Sequence, residues 1–123
     1  MLVALIMMAL AFPYSWEEQG VRITLVNPEV TPDKHYVLVH LRLQATMDIA
    51  AFRWQNLCTV VNKAGESVPQ ANDCGVDEHI TMGDFPLKKN QRSSLMIYYL
   101  ARPADFPIQI FVGDAPVGRP LGR

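Results

Sequence analysis

Cysteine is scarce in this chain: Cys58 and Cys74 are the only two among 123 residues. Two thiols alone do not make a zinc site, and their spacing is too wide for a CxxC redox pair. Charge of one sign is equally lacking. Eleven Lys and Arg face 12 Asp and Glu, the formal net charge is −1, and no run of five like charges occurs. That balance gives no electrostatic reason to expect a nucleic-acid partner, and no acidic or basic tail is visible. The longest basic stretch, Lys88-Lys89-Asn90-Gln91-Arg92, reads as a solvated turn. No GxSxG, HExxH, P-loop or GxGxxG pattern occurs, so no motif-borne hydrolase, nucleotide or dinucleotide site is expected. Beyond the first dozen residues no window keeps an i, i+3, i+4, i+7 apolar pattern, which excludes a helical domain. There is no internal repeat and no low-complexity segment.

What is present suits one small domain. Half the residues are hydrophobic, enough for a packed core, and nine prolines and seven glycines are spread along the chain. Met1 to Phe12 is uncharged and apolar. Twelve residues rise only about 18 Å as a helix, short of a bilayer core of about 30 Å. The stretch fits a secretory h-region, with Ala9-Leu10-Ala11 before a cut that leaves Phe12 first. It lacks a leading Lys or Arg, so an uncleaved membrane anchor and a buried first element stay open. The expected domains are therefore 1–12 as signal peptide or short anchor, 20–113 as the folded body, and 114–123 as a flexible Pro/Gly tail. A lone cysteine pair in a small exported domain predicts a Cys58–Cys74 disulfide. Closing that loop stabilises by roughly 3 kcal/mol in the chain-entropy view. Two buried free thiols are the alternative. The expected location is periplasmic or extracellular, with a possible membrane tether.

Period-two alternation dominates the body. Val21, Ile23 and Leu25 oppose Arg22 and Thr24. Val37, Val39, Leu41, Leu43 and Ala45 oppose Tyr36, Leu38, His40, Arg42 and Gln44, the clearest strand of the chain. A strand is expected over Ala51–Asn62, with Phe52 and Trp54 on one face, then a turn at Lys63–Glu66. Gln70–Glu78 reads as a loop and Ile80–Phe85 as a short edge strand. Lys89–Arg92 reads as a turn, and Leu95, Ile97 and Tyr99 oppose Met96, Tyr98 and Leu100. Ile108, Ile110 and Val112 form the last strand. About seven short strands predict an all-β fold, a two-sheet antiparallel β-sandwich.

Three blocks carry a family resemblance. They are Tyr36–Leu43; Phe52-Arg53-Trp54 with Val60–Pro69; and Pro86–Leu100. In order and spacing they resemble the telokin-like, immunoglobulin-type family of secreted bacterial domains, the immunoprotective extracellular protein type, over about residues 20–113. The resemblance implies an immunoglobulin-like sandwich in an extracytoplasmic setting and implies no catalytic activity. The Cys58–Cys74 spacing departs from the inter-sheet bridge of antibody domains. The turn Lys88–Gln91 has no glycine where such domains often carry one.

Candidate chemistry is sparse. Asp77-Glu78-His79 groups two acids and a base, but neighbouring strand residues point to opposite faces. No catalytic residue is assigned, and neither an enzyme, a cofactor nor a small-molecule substrate is expected. Soft thioether sulfur suits Cu(I), so His79 and Met82 are candidate metal ligands of an exported copper-binding sandwich. His40, on the polar face of its strand, reads as an ordinary surface histidine. Tyr36 and Leu38, and Met96 and Tyr98, give two strands a second apolar face, which suits contact with a protein partner. The leading expectation is a non-enzymatic interaction domain, an accessory or structural subunit of a cell-envelope or surface assembly.

Overall fold

The computed structural model describes residues 10–122. Most of the expected leader, Met1–Ala9, lies outside the described residues. Among the described residues the fold is all-β, with no α-helix and a 3-10 turn at Pro103–Asp105. The strands are β1 Tyr14–Glu18, β2 Val21–Val30, β3 Tyr36–Ala45, β4 Ile49–Phe52, β5 Thr59–Val61 and β6 Gln70–Val76. They continue with β7 His79–Thr81, β8 Phe85–Leu87, β9 Arg92–Leu100, β10 Ile108–Val112 and β11 Ala115–Leu121. An antiparallel sheet of six runs in the order β1-β2-β3-β9-β6-β7, a second runs β11-β10-β5, and β4 pairs with β8.

The alternation read from the sequence is the alternation observed. Val37, Val39, Leu41, Leu43 and Ala45 of β3 are buried, as are Val21, Ile23 and Leu25 of β2 and Leu95, Ile97 and Tyr99 of β9. From the other side come Phe52, Trp54, Leu57, Val60, Phe106, Ile108, Ile110 and Val117, and the three sheets share one buried cluster. A strand has two faces, so burying one leaves its alternate residues on the outside. The outer face of the six-stranded sheet therefore carries Tyr36, Leu38, His40 and Arg42 of β3 beside Ser94, Met96, Tyr98 and Leu100 of β9.

Several expectations need correction. Ala51–Asn62 is not one strand: β4 ends at Phe52 and β5 begins at Thr59, with Asn56 at φ 65° between them. Gln70–Glu78 is not a loop. Gln70–Val76 is a strand inside the six-stranded sheet, between β9 and β7. Asp77 and Glu78 form its two-residue hairpin, with φ 47° and 72° and Val76 paired to His79, the type I′ pattern that follows strand twist. The expected tail 114–123 is ordered as β11 over Ala115–Leu121. Gly113-Asp114 makes the hairpin, and β11 lies at a sheet edge, where Pro116 and Pro120 cost no ladder bond on the open side. The last residues of the expected leader make contacts with β11 and the core. Leu10 bridges Val117 in parallel, its N–H donates to the Pro116 carbonyl at 3.1 Å, and Phe12 packs against the core.

The Cys58–Cys74 disulfide also needs correction: both cysteines are free and buried. The bridge was inferred for a loop, but Cys74 is fixed in the ladder, paired with Ile97 and Thr81. Cys58 lies ahead of β5 in a different sheet, its carbonyl accepting the Tyr99 hydroxyl at 2.7 Å. Burial, with Glu18 adding repulsion, pushes the Cys58 thiol up to about 12. Burial, with Asp73, pushes Cys74 up to about 11. At pH 8 the thiolate fractions are thus on the order of one in a thousand or less. Native protein is expected to keep both thiol hydrogens in its intact mass and to resist iodoacetamide at pH 8 until denaturant is added. A native mass two hydrogens lighter would reinstate the bridge.

Candidate functional site

The four residues predicted to meet a partner are brought together. Leu38 pairs directly with Tyr98, His40 with Met96, and Tyr36 with Leu100, so two outer rows form one patch across β3 and β9. Tyr36 and Leu100 are 44% and 45% exposed, high for large apolar side chains on a sheet. Beside Met96 the ladder continues to Gly75 of β6 and then to Ile80 of β7, which is 76% exposed. Gly75 has no side chain to fill the space over its strand. A Cβ there would meet the Tyr98 hydroxyl at 3.5 Å and Met96 Cβ at 3.8 Å, ordinary contact distances. The result is a groove of about 520 Å³ lined by Glu29, His40, Gly75, Ile80, Met96 and Tyr98, among others. Sequence reasoning placed Gly75 in a loop and so missed the groove; the period-two run from β9 gave no register to it.

Two polar pairs at the rim are tied up. His40 Nε2 and Glu29 Oε2 are 3.2 Å apart, a surface pair worth little in water. Asp77 Oδ1 accepts the Ser94 backbone N–H at 2.9 Å and lies 3.4 Å from the Ser94 hydroxyl, so this carboxylate holds the β6–β7 hairpin to β9. Asp77-Glu78-His79 is thus a turn and the residue after it, and the three side chains form no acid–base relay among their recorded hydrogen bonds.

Elsewhere, the strongly perturbed groups are structural. Tyr99 is buried and its phenol is held far above its usual range by that burial; it donates to the Cys58 carbonyl. Burial alone would raise Asp105. The Arg102 backbone N–H, the Asn62 amide and the Arg102 guanidinium outweigh it and hold the carboxyl below the usual range. These bonds fasten the turn after β5 to the 3-10 turn, away from the groove.

The two candidate metal ligands lie at the start of β7 and just beyond its end. His79 lines the groove, but Met82, 70% exposed beyond the end of β7, does not. His40 and His79 stand three strand spacings apart, about 14 Å, too far to share one ion. Among the described residues no group of three or more His, Cys, Asp and Glu is placed to hold a metal. Among them, too, no helix is long and apolar enough to cross a membrane.

No protein-family profile matches the chain, and no curated protein matches it. Among solved structures the chain is similar to the crystal structure of the yjhA protein from Bacillus subtilis. The likeness has a TM-score of 0.53 at 7% identity, over 82% of this chain and 78% of that one. At that identity the likeness speaks to the fold alone.

Proposed function

We propose that this chain is a non-enzymatic interaction domain with an immunoglobulin-like two-layer sandwich, and that it binds a protein partner on the outer face of its six-stranded sheet. One observation carries the reading: the contiguous row Tyr36, Leu38, Tyr98, Leu100 and Met96 lies on a sheet face turned away from the core and opens into the groove over Gly75. Aromatic and Met side chains around a pocket are the composition of a partner-binding centre. The likeness in fold to the yjhA protein and the three sequence blocks support the sandwich. An exported or membrane-tethered accessory subunit of an envelope or surface assembly remains the favoured setting, supported by the apolar Met1–Phe12; the cysteines, being free, lend it nothing.

Gly75→Val is the decisive variant. A Cβ fits there at ordinary contact distances, and the added methyls are expected to occupy the groove. A photo-crosslinking residue at Tyr98 is expected to trap a defined partner in the cells that make the protein, while one at Arg119, on β11, traps none. Gly75→Val should abolish the Tyr98 adduct with the melting temperature unchanged. Equal trapping at both positions, or an adduct indifferent to Gly75→Val, would refute the reading.

A further inference from the structure

Beside the apolar groove, the same sheet face holds a second depression of about 530 Å³. Its walls include three arginines from three adjacent strands: Arg22 of β2, Arg42 of β3 and Arg92 of β9. In the register Gln44 stands between Arg22 and Arg92, and Arg42 stands between Thr24 and Ser94. Within the described residues the ion pairs are His40–Glu29 and Arg102–Asp105, so none of these three arginines has a carboxylate within 4.0 Å. Two acids flank them. Glu17 pairs in register with Arg22, and Asp77 is engaged by Ser94.

Like charges on neighbouring strands repel, and a chain of net charge −1 has gathered three of its cations here without pairing them. A guanidinium is a planar fork of donors matched to oxyanions. The two oxygens of a carboxylate satisfy one such fork. A tetrahedral monoester offers three terminal oxygens, one for each of three forks. We propose that Arg22, Arg42 and Arg92 form a binding site for a phosphate- or sulfate-type oxyanion, with the hydroxyls of Thr24 and Ser94 and the Gln44 amide as neutral donors. The site is independent of the protein-partner reading. Both depressions share Arg42, Asp77 and Ser94, so a ligand carrying the oxyanion on an apolar stem has a path from the arginines towards Met96 and Ile80.

The test is an amide NMR titration of the whole chain at constant ionic strength, with sodium phosphate, sodium sulfate, sodium acetate and phenyl phosphate as probes. Saturable shifts centred on Arg22, Thr24, Arg42 and Ser94 are expected with phosphate or sulfate, with acetate at least about tenfold weaker. The tighter of phosphate and sulfate identifies the class of ligand. Phenyl phosphate should bind tighter than phosphate and also move Gly75 and Ile80; equal affinity would overturn the extension along the groove. Arg42→Gln should weaken the oxyanion about tenfold or more, while Lys63→Gln, the same change of charge in the turn after β5, should leave it unaltered. Shifts that stay linear, scatter over the surface, or fall equally with Lys63→Gln mean an adventitious ion only, and the proposal fails.

Discussion

Trp54→Ala is expected to cost about 4–5 kcal/mol, the largest single loss in the domain. Trp54 is fully buried although it follows the last residue of β4, and its indole N–H donates to the Gly83 carbonyl at 3.1 Å. One side chain thus fills the core and ties the segment after β4 to the stretch leading into β8. Truncation opens a cavity the size of an indole and strips a carbonyl of its donor, and each effect is destabilising by itself. Domains of this size hold only about 5–15 kcal/mol in total, so the variant should be substantially unfolded in modest urea. Urea titration followed by circular dichroism measures it. Trp54→Phe separates the two contributions: it keeps most of the volume and loses the N–H, and about 1–2 kcal/mol is expected. A Trp54→Ala loss below about 2 kcal/mol would mean that this part of the core is not packed as described.

Gly118→Ala comes next, at about 2–4 kcal/mol. Gly118 sits at φ 72°, and a Cβ there would overlap the Phe12 ring. Two penalties add: the left-handed backbone, about 1–2 kcal/mol for a residue with a Cβ, and the clash. Gly113→Ala isolates the first, because Gly113 has φ 58° and open space around it. The double variant Phe12→Ala/Gly118→Ala isolates the second. Removing the ring should rescue part of the Gly118→Ala loss, giving a coupling of about 1 kcal/mol or more in a double-mutant cycle. Strict additivity would show that Phe12 does not dock on β11.

These two positions mark where the sequence was legible and where it was not. Strands β2, β3 and β9 were readable because each buries one face, and period two then appears directly as Val37-Val39-Leu41-Leu43 or Leu95-Ile97-Tyr99. The same alternation identified Tyr36, Leu38, Met96 and Tyr98 as a second face, and pairing of β3 with β9 joins them. β6 was not readable. Its segment Gln-Ala-Asn-Asp-Cys-Gly-Val is polar and weak in strand propensity, and its place is set by hydrogen bonds to β9 and β7 that no local pattern records. The disulfide expectation came from the lone cysteine pair in a chain read as exported, and no local pattern shows that the two thiols sit in different sheets. β11 was hidden by Pro116, Gly118 and Pro120, which read as tail composition, although Gly113-Asp114 between Phe111-Val112 and Ala115 is a hairpin signal. The groove over Gly75 and the gathering of Arg22, Arg42 and Arg92 are products of register, and register is settled by tertiary pairing.

β7 closes one margin of the six-stranded sheet with three residues, His79, Ile80 and Thr81. An outermost strand offers unpaired amides and carbonyls to any extended chain, and here Ile80 and Met82 add exposed apolar side chains. So short a rail presents too few groups to template another copy. Lengthening β7 is therefore expected to favour edge-to-edge association of copies.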